Sequence, residues 1–181
     1  MLKEIAKLLE AIRSALTPEM TYSASVTGLI PAASATDIFE IVGGERKTVY
    51  VHRVQISGIA TGAGAFDFVL LRRDGASSGG TSTAPTTVRH SLNADPASAS
   101  LKAYTANPTV GRLYGNLQVI KGTVTTSAGV IPGISYEFDL TKHGLLQPVE
   151  LKGRNATLAL NLNATTITGG SLDIDITWTE K

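Results

Sequence analysis

The sequence predicts an all-β protein, a jelly-roll-like antiparallel β-sandwich, with a short amphipathic helix at its N-terminus. Three observations lead there. Apolar residues recur with a period of two over most of the chain, Gly, Pro and Asn punctuate these runs, and the chain is poor in charge, with Asp, Glu, Lys and Arg at 17% of 181 residues against a usual quarter. Many short strands with frequent turns and no interleaved helices fit a sandwich, of which the jelly roll is one form.

Residues 1–20 stand apart from the rest. Leu2, Ile5, Leu9, Ile12 and Leu16 recur at spacings of three and four with Lys3, Glu4, Lys7, Glu10 and Arg13 between them, which predicts a helix over 1–16 that Pro18 closes. A helix this short is marginal alone in water. Its stripe therefore predicts an interface, made with its own β-domain, with further copies of the chain or with another protein. Leucine at a and isoleucine at d positions favour three or four helices over two.

Residues 21–181 form the predicted β-domain. Strands are expected over 23–29, 36–42, 49–59, 65–73, 101–105, 113–124, 135–140 and 148–152. The clearest alternation is Leu172, Ile174, Ile176 and Trp178 against Asp173, Asp175, Thr177 and Thr179, one face buried and one wet. Leu158, Leu160 and Leu162 alternate similarly with Ala159 and Asn161, and Gly169-Gly170 lies between the two runs. The pair is expected to form a hairpin. Between 73 and 99 the chain is polar and rich in Gly, Ser and Thr, so a long exposed connection is expected, a candidate contact surface or a mobile loop without a role.

Composition narrows the function. A formal net charge of +1 with dispersed Lys and Arg lacks the basic stripe of a nucleic-acid binder. No apolar run approaches a membrane span, and the N-terminus does not read as a secretory signal. Cysteine is absent, which removes disulfides and thiolate chemistry.

No chemistry-bearing motif emerges. His52, His90 and His143 are scattered and form no paired ligand pattern. Asp173 and Asp175, with Asp67 and Asp139 on other predicted strands, could hold a cation such as calcium, but acids on a solvent face also keep strand edges soluble. Ser57-Gly58 and Ser127-Ala128-Gly129 are not part of a nucleophile elbow. The pairs Gly43-Gly44, Gly79-Gly80 and Gly169-Gly170 lack the Lys-Ser/Thr of a phosphate loop and read as turns. Asn155 and Asn163 match a glycosylation pattern that matters only in a secreted eukaryotic protein. Few aromatic rings are present, and Trp178 is expected in the core, which leaves Tyr104, Tyr114 and the 73–99 loop for a lectin-like role. The expectation is a non-enzyme with no catalytic residue, cofactor or metal.

Several stretches carry a family likeness. Residues 23–43 read Ser-Ala-Ser-Val-Thr-Gly-Leu-Ile-Pro-Ala-Ala-Ser-Ala-Thr-Asp-Ile-Phe-Glu-Ile-Val-Gly, residues 158–163 Leu-Ala-Leu-Asn-Leu-Asn, and residues 170–180 Gly-Ser-Leu-Asp-Ile-Asp-Ile-Thr-Trp-Thr-Glu. With Gly-Gly-Thr-Ser-Thr at 79–83 and Ala-Tyr-Thr-Ala-Asn-Pro-Thr at 103–109, the chain resembles a group of small structural proteins of tailed phages and prophages. The N-terminal helix lies outside these stretches. The resemblance implies a virion protein assembled in the host bacterial cytoplasm, a homotrimer that decorates or cements the capsid or forms a head fibre. Its partners would be its own copies and the major capsid protein or another virion protein, with no nucleic acid and no membrane. A tail or fibre component, or a lectin-like glycan-binding module, is the alternative.

Overall fold

The computed structural model describes residues 4–5, 19–125, 133–140 and 147–181. In these residues the chain is all-β. In order the strands are β1 (Met20–Leu29), β2 (Ala35–Val42), β3 (Val49–Ile59), β4 (Gly64–Asp74), β5 (Thr81–Thr83), β6 (Thr87–Arg89), β7 (Ser100–Ala106), β8 (Arg112–Val124), β9 (Gly133–Asp139), β10 (Val149–Leu151), β11 (Ala156–Thr165) and β12 (Ser171–Glu180). Every strand expected from the sequence is present. Of the predicted helix, Glu4 and Ile5 are described and exposed, while Leu2, Leu9, Ile12 and Leu16 lie outside the described residues.

The strands form two antiparallel sheets. Sheet I runs β10-β3-β12-β1-β6, with β9 also paired to β3, and sheet II runs β5-β7-β2-β11-β4-β8. Because β12 occupies one edge of β3 from Val49 to Ile59, β10 and β9 share the other, at 49–51 and 53–59.

The sheets meet across one hydrophobic core. Ile56, Phe138, Leu172, Ile174 and Trp178 from sheet I and Ile41, Phe68, Leu70, Leu158 and Leu160 from sheet II all belong to it. Trp178 is fully buried and stacks on Tyr22 with ring centroids 5.7 Å apart. Phe66, Phe68 and Tyr136 interlock edge to face at the other end. Burying Tyr22, Trp178, Phe66 and Phe68, with Tyr136 partly buried beside them, removes a large apolar area from water, the main favourable term in folding.

Two expectations are corrected. β11 and β12 do not form a hairpin, because β11 pairs with β2 and β4 while β12 pairs with β1 and β3. Their leucine and isoleucine rows face each other across the core, an arrangement that alternation alone does not distinguish from side-by-side pairing. Nor is the second face of β11 wet, since Ala159 and Asn161 are buried as well.

The 73–99 connection is also more ordered than its composition suggests. β5 pairs with β7 and β6 with β1, so the segment extends first one sheet and then the other. Ser77 and Ala94 within it are buried.

Candidate functional site

The outer face of sheet II carries the most unusual chemistry in the described residues. β2 reads Asp37-Ile38-Phe39-Glu40-Ile41, and both acids are buried. Buried carboxylates persist only when paired and hydrogen-bonded. Arg73 of β4 meets Asp37 in a two-pronged pair, Nε donating to Oδ2 at 2.5 Å and Nη2 to Oδ1 at 2.7 Å. Asn161 Nδ2 and the Ser77 hydroxyl donate to the same carboxylate at 2.6 and 2.9 Å.

Glu40 is held alongside. It accepts from the Tyr104 hydroxyl at 2.7 Å, the Ser77 backbone N–H at 3.0 Å and Lys102 Nζ at 3.1 Å. Burial, followed by the hydrogen bond to Glu40, pushes the Tyr104 hydroxyl far above its ordinary pKa. Lys102 also donates to the Ser77 carbonyl at 2.9 Å, and Arg73 Nη1 to the Gly111 carbonyl at 2.8 Å. Two acids and two bases thus clamp the turn after β4 and the segment before β8 onto the sheet. These carboxylates are engaged in structure on every side.

β8, at the edge of that sheet, is the reverse. Five of the ten exposed large hydrophobic side chains among the described residues fall within ten positions, namely Val110, Leu113, Tyr114, Leu117 and Val119. The register against β4 shifts between Leu70 and Leu71 and between Arg72 and Arg73, which leaves Leu117 and Tyr114 as the extra residues of two β-bulges. Arg72 lies under the Tyr114 ring at 5.7 Å. A long edge strand bearing apolar side chains is a surface open to pairing.

Beside β8 is a hollow of about 400 Å³ with Val69, Leu71, Leu113 and Val119 as its apolar lining and Asp67, Asn116, Lys121 and Asn163 as polar lining. Asp67 takes Asn163 Nδ2 at 3.1 Å and Lys121 Nζ at 3.1 Å. The Asn163 hydrogen bond first, and Lys121 second, hold its carboxyl below the usual range. Asn163 and Ala164 both sit at positive φ, 51° and 58°, a conformation non-glycine residues seldom adopt.

The residues singled out in the sequence are dispersed. Asp173 accepts from the Gly28 N–H at 2.7 Å and Asp175 from the Ser25 hydroxyl, so each ties β12 to β1. Asp139 stands opposite Arg53 on β3. His52 Nε2 is 2.9 Å from the Thr179 hydroxyl, with its pKa lowered by burial, and His90 Nε2 is 3.1 Å from the Ser23 hydroxyl. His143 and Ser127 lie outside the described residues. Ser57 stands opposite Asp173 in mid-strand. Tyr104 and Trp178 are buried, and Tyr114 alone of the three candidate rings is exposed. No group of three His, Asp or Glu side chains among the described residues is placed to hold a metal.

Sequence reasoning missed the Asp37, Glu40 and Arg73 cluster because charges in a strand read as solvent-facing. The available signal was opposite charge, Asp37 and Glu40 in one apolar strand and Arg72-Arg73 in another. No known family model matches the chain, and no curated protein matches its sequence.

Proposed function

We propose that the chain is a non-enzymatic structural protein of a tailed-phage virion, a homotrimer that decorates or cements the capsid or forms a head fibre. It would be made in the bacterial cytoplasm and would bind its own copies and the major capsid protein or another virion protein. The observation that carries this reading is β8, whose Leu113, Leu117 and Val119 are exposed on a sheet edge. Such a strand suits a protein whose work is contact.

The strand order supports it. β1, β12, β3 and β9 are neighbours in one sheet and β2, β11, β4 and β8 in the other. We read this as a jelly roll, a fold that recurs in viral capsid and lectin domains, with β5, β6, β7 and β10 as additions. Fold alone does not carry function, so the claim rests on association. The stripe of Leu2, Ile5, Leu9, Ile12 and Leu16 is the second proposed contact.

The test is light-scattering mass of three proteins, the full chain, the Leu113→Asp/Val119→Asp variant and a chain starting at Thr21. A trimer that falls to a monomer in the β8 variant, with its far-ultraviolet β signal kept, supports the reading. A trimer lost only in the shortened chain moves the contact to the helix, and a monomer in all three overturns the proposal. The rival, a tail or fibre component or a lectin-like module, would place a sugar in the Asp67 and Asn163 hollow. A glycan-array signal abolished by Asn163→Ala would favour it.

A further inference from the structure

A second cleft, of about 610 Å³, opens at the end of the sheets between the loop after β2, the segment before β7 and Arg154. Its volume is within the range of small-molecule sites. Its walls are brought together by glycine, since a Cβ on Gly43 would meet the Gly153 carbonyl oxygen at 2.6 Å and one on Gly44 would meet Ser98 Oγ at 2.1 Å.

One wall is pinned from behind. The buried Glu180 carboxylate accepts from the Ser98 and Ala99 N–H groups at 2.8 and 3.0 Å, from the Ser98 hydroxyl at 2.8 Å and from Trp178 Nε1 at 3.1 Å. A cleft built on a fully bonded carboxylate is held in shape before any ligand arrives.

Its charge is arranged asymmetrically. Arg46, Lys47, Lys102 and Arg154 line it against Glu45 and Asp95, and Glu40 lies beneath Lys102. Lys47 pairs with Asp95 at 3.4 Å, yet the lysine side chain is 29% exposed and the aspartate 81%. Arg154 pairs with Glu45 at 2.7 Å, both being well exposed. The acids stand at the rim in pairs that contribute little, while the Lys47 cation is the more enclosed partner of its pair.

We propose that this cleft binds a sugar-sized anion, with Lys47, Arg46 and Arg154 taking its carboxylate or phosphate and Glu45 acting as an internal stand-in that the ligand displaces from Arg154. A bare phosphate would leave most of the volume empty, and a neutral sugar would gain nothing from the cations. The proposal holds whether or not the chain assembles through β8.

The full chain is titrated calorimetrically with glucuronate, glucose 6-phosphate, inorganic phosphate and glucose. Binding of the first two, weaker for inorganic phosphate and absent for glucose, is expected, and the stronger of the two sugars tells carboxylate from phosphate. Glu45→Gln should tighten binding roughly two- to fivefold by releasing Arg154. Lys47→Ala should weaken it about tenfold or more, through loss of a charge-assisted hydrogen bond. Urea midpoints matching the parent would show both variants folded. Silence at about 10 mM of every anion in both the parent and Glu45→Gln, a far weaker range than cellular ligands need, would overturn the proposal, as would equal binding of glucose.

Discussion

β11 and β8 flank the same strand, β4, and pair with it antiparallel, β11 from Val69 to Asp74 and β8 from Gly64 to Asp74, yet they invert the usual rule for polarity. The enclosed strand, β11, buries Thr157 and Asn161, whereas the edge strand, β8, exposes Leu113, Leu117 and Val119. Position in the sheet, more than residue type, decides burial here. β11 has β2 on its far side, with an ionised cluster that needs Asn161 as a donor. On its far side β8 has no paired strand among the described residues. Inside, Asn161 is held by specific bonds to Asp37 and Asn163, and the apolar residues outside are free to make new contacts.

The sharpest way to break this contrast is Arg73→Ala. It leaves Asp37 buried at the β2/β11 seam without its cation, and should destabilise by about 3–5 kcal/mol in urea unfolding. A loss under about 1 kcal/mol, the scale of an exposed ion pair, would mean that the cluster is hydrated and that β11 is no more enclosed than β8.

A smaller effect of opposite sign is expected at Thr157. Its hydroxyl oxygen is buried with no hydrogen-bond partner among the described residues. Thr157→Val keeps the shape and removes the orphan, so stability should rise by about 1 kcal/mol, seen as a higher urea midpoint at unchanged slope. A decrease would show that the hydroxyl has a partner.

The smallest effect concerns the junction of the two regions, where Asp67 on β4 bonds to Asn163 of β11 and Lys121 of β8. Its folded pKa lies below the ordinary value of 3.8, so the unfolded chain takes up the proton first as the solution is acidified. Its contribution is therefore complete above that value and is lost as pH falls through the lower folded one. The difference in urea midpoint between the parent and Asp67→Asn should shrink between about pH 5 and pH 2. A constant difference would remove Asp67 from the account of acid sensitivity.

How much of this was legible in the sequence follows from the range of the interactions. β12 announces itself because Leu172, Ile174, Ile176 and Trp178 alternate with polar neighbours in a single run. The assignment of β11 and β12 to opposite sheets was hidden, since alternation fixes which side chains share a face but not which strand lies alongside. β5 and β6, each Thr-bearing and short, are strands only because β7 and β1 offer edges to them. Asp37 and Arg73 find each other across another strand, and no local pattern records that. The exposed strip on β8 was written plainly in its leucines and valine, but a sandwich reading assigns such residues to the core by default.

The nested pairing of the sheets has a consequence for how the molecule is made. β1 pairs with β12 and β2 with β11, so the earlier strands of this chain wait for the later ones before either sheet has its centre. Non-local pairing of this kind slows folding. Until 156–180 is synthesised, β2 and β4 lack the strand that joins them, and β1 and β3 lack theirs. A nascent chain in that state presents open sheet edges, the condition that invites misassembly between crowded neighbours. A message truncated before β12 would thus yield material prone to aggregate, not a shortened but serviceable protein.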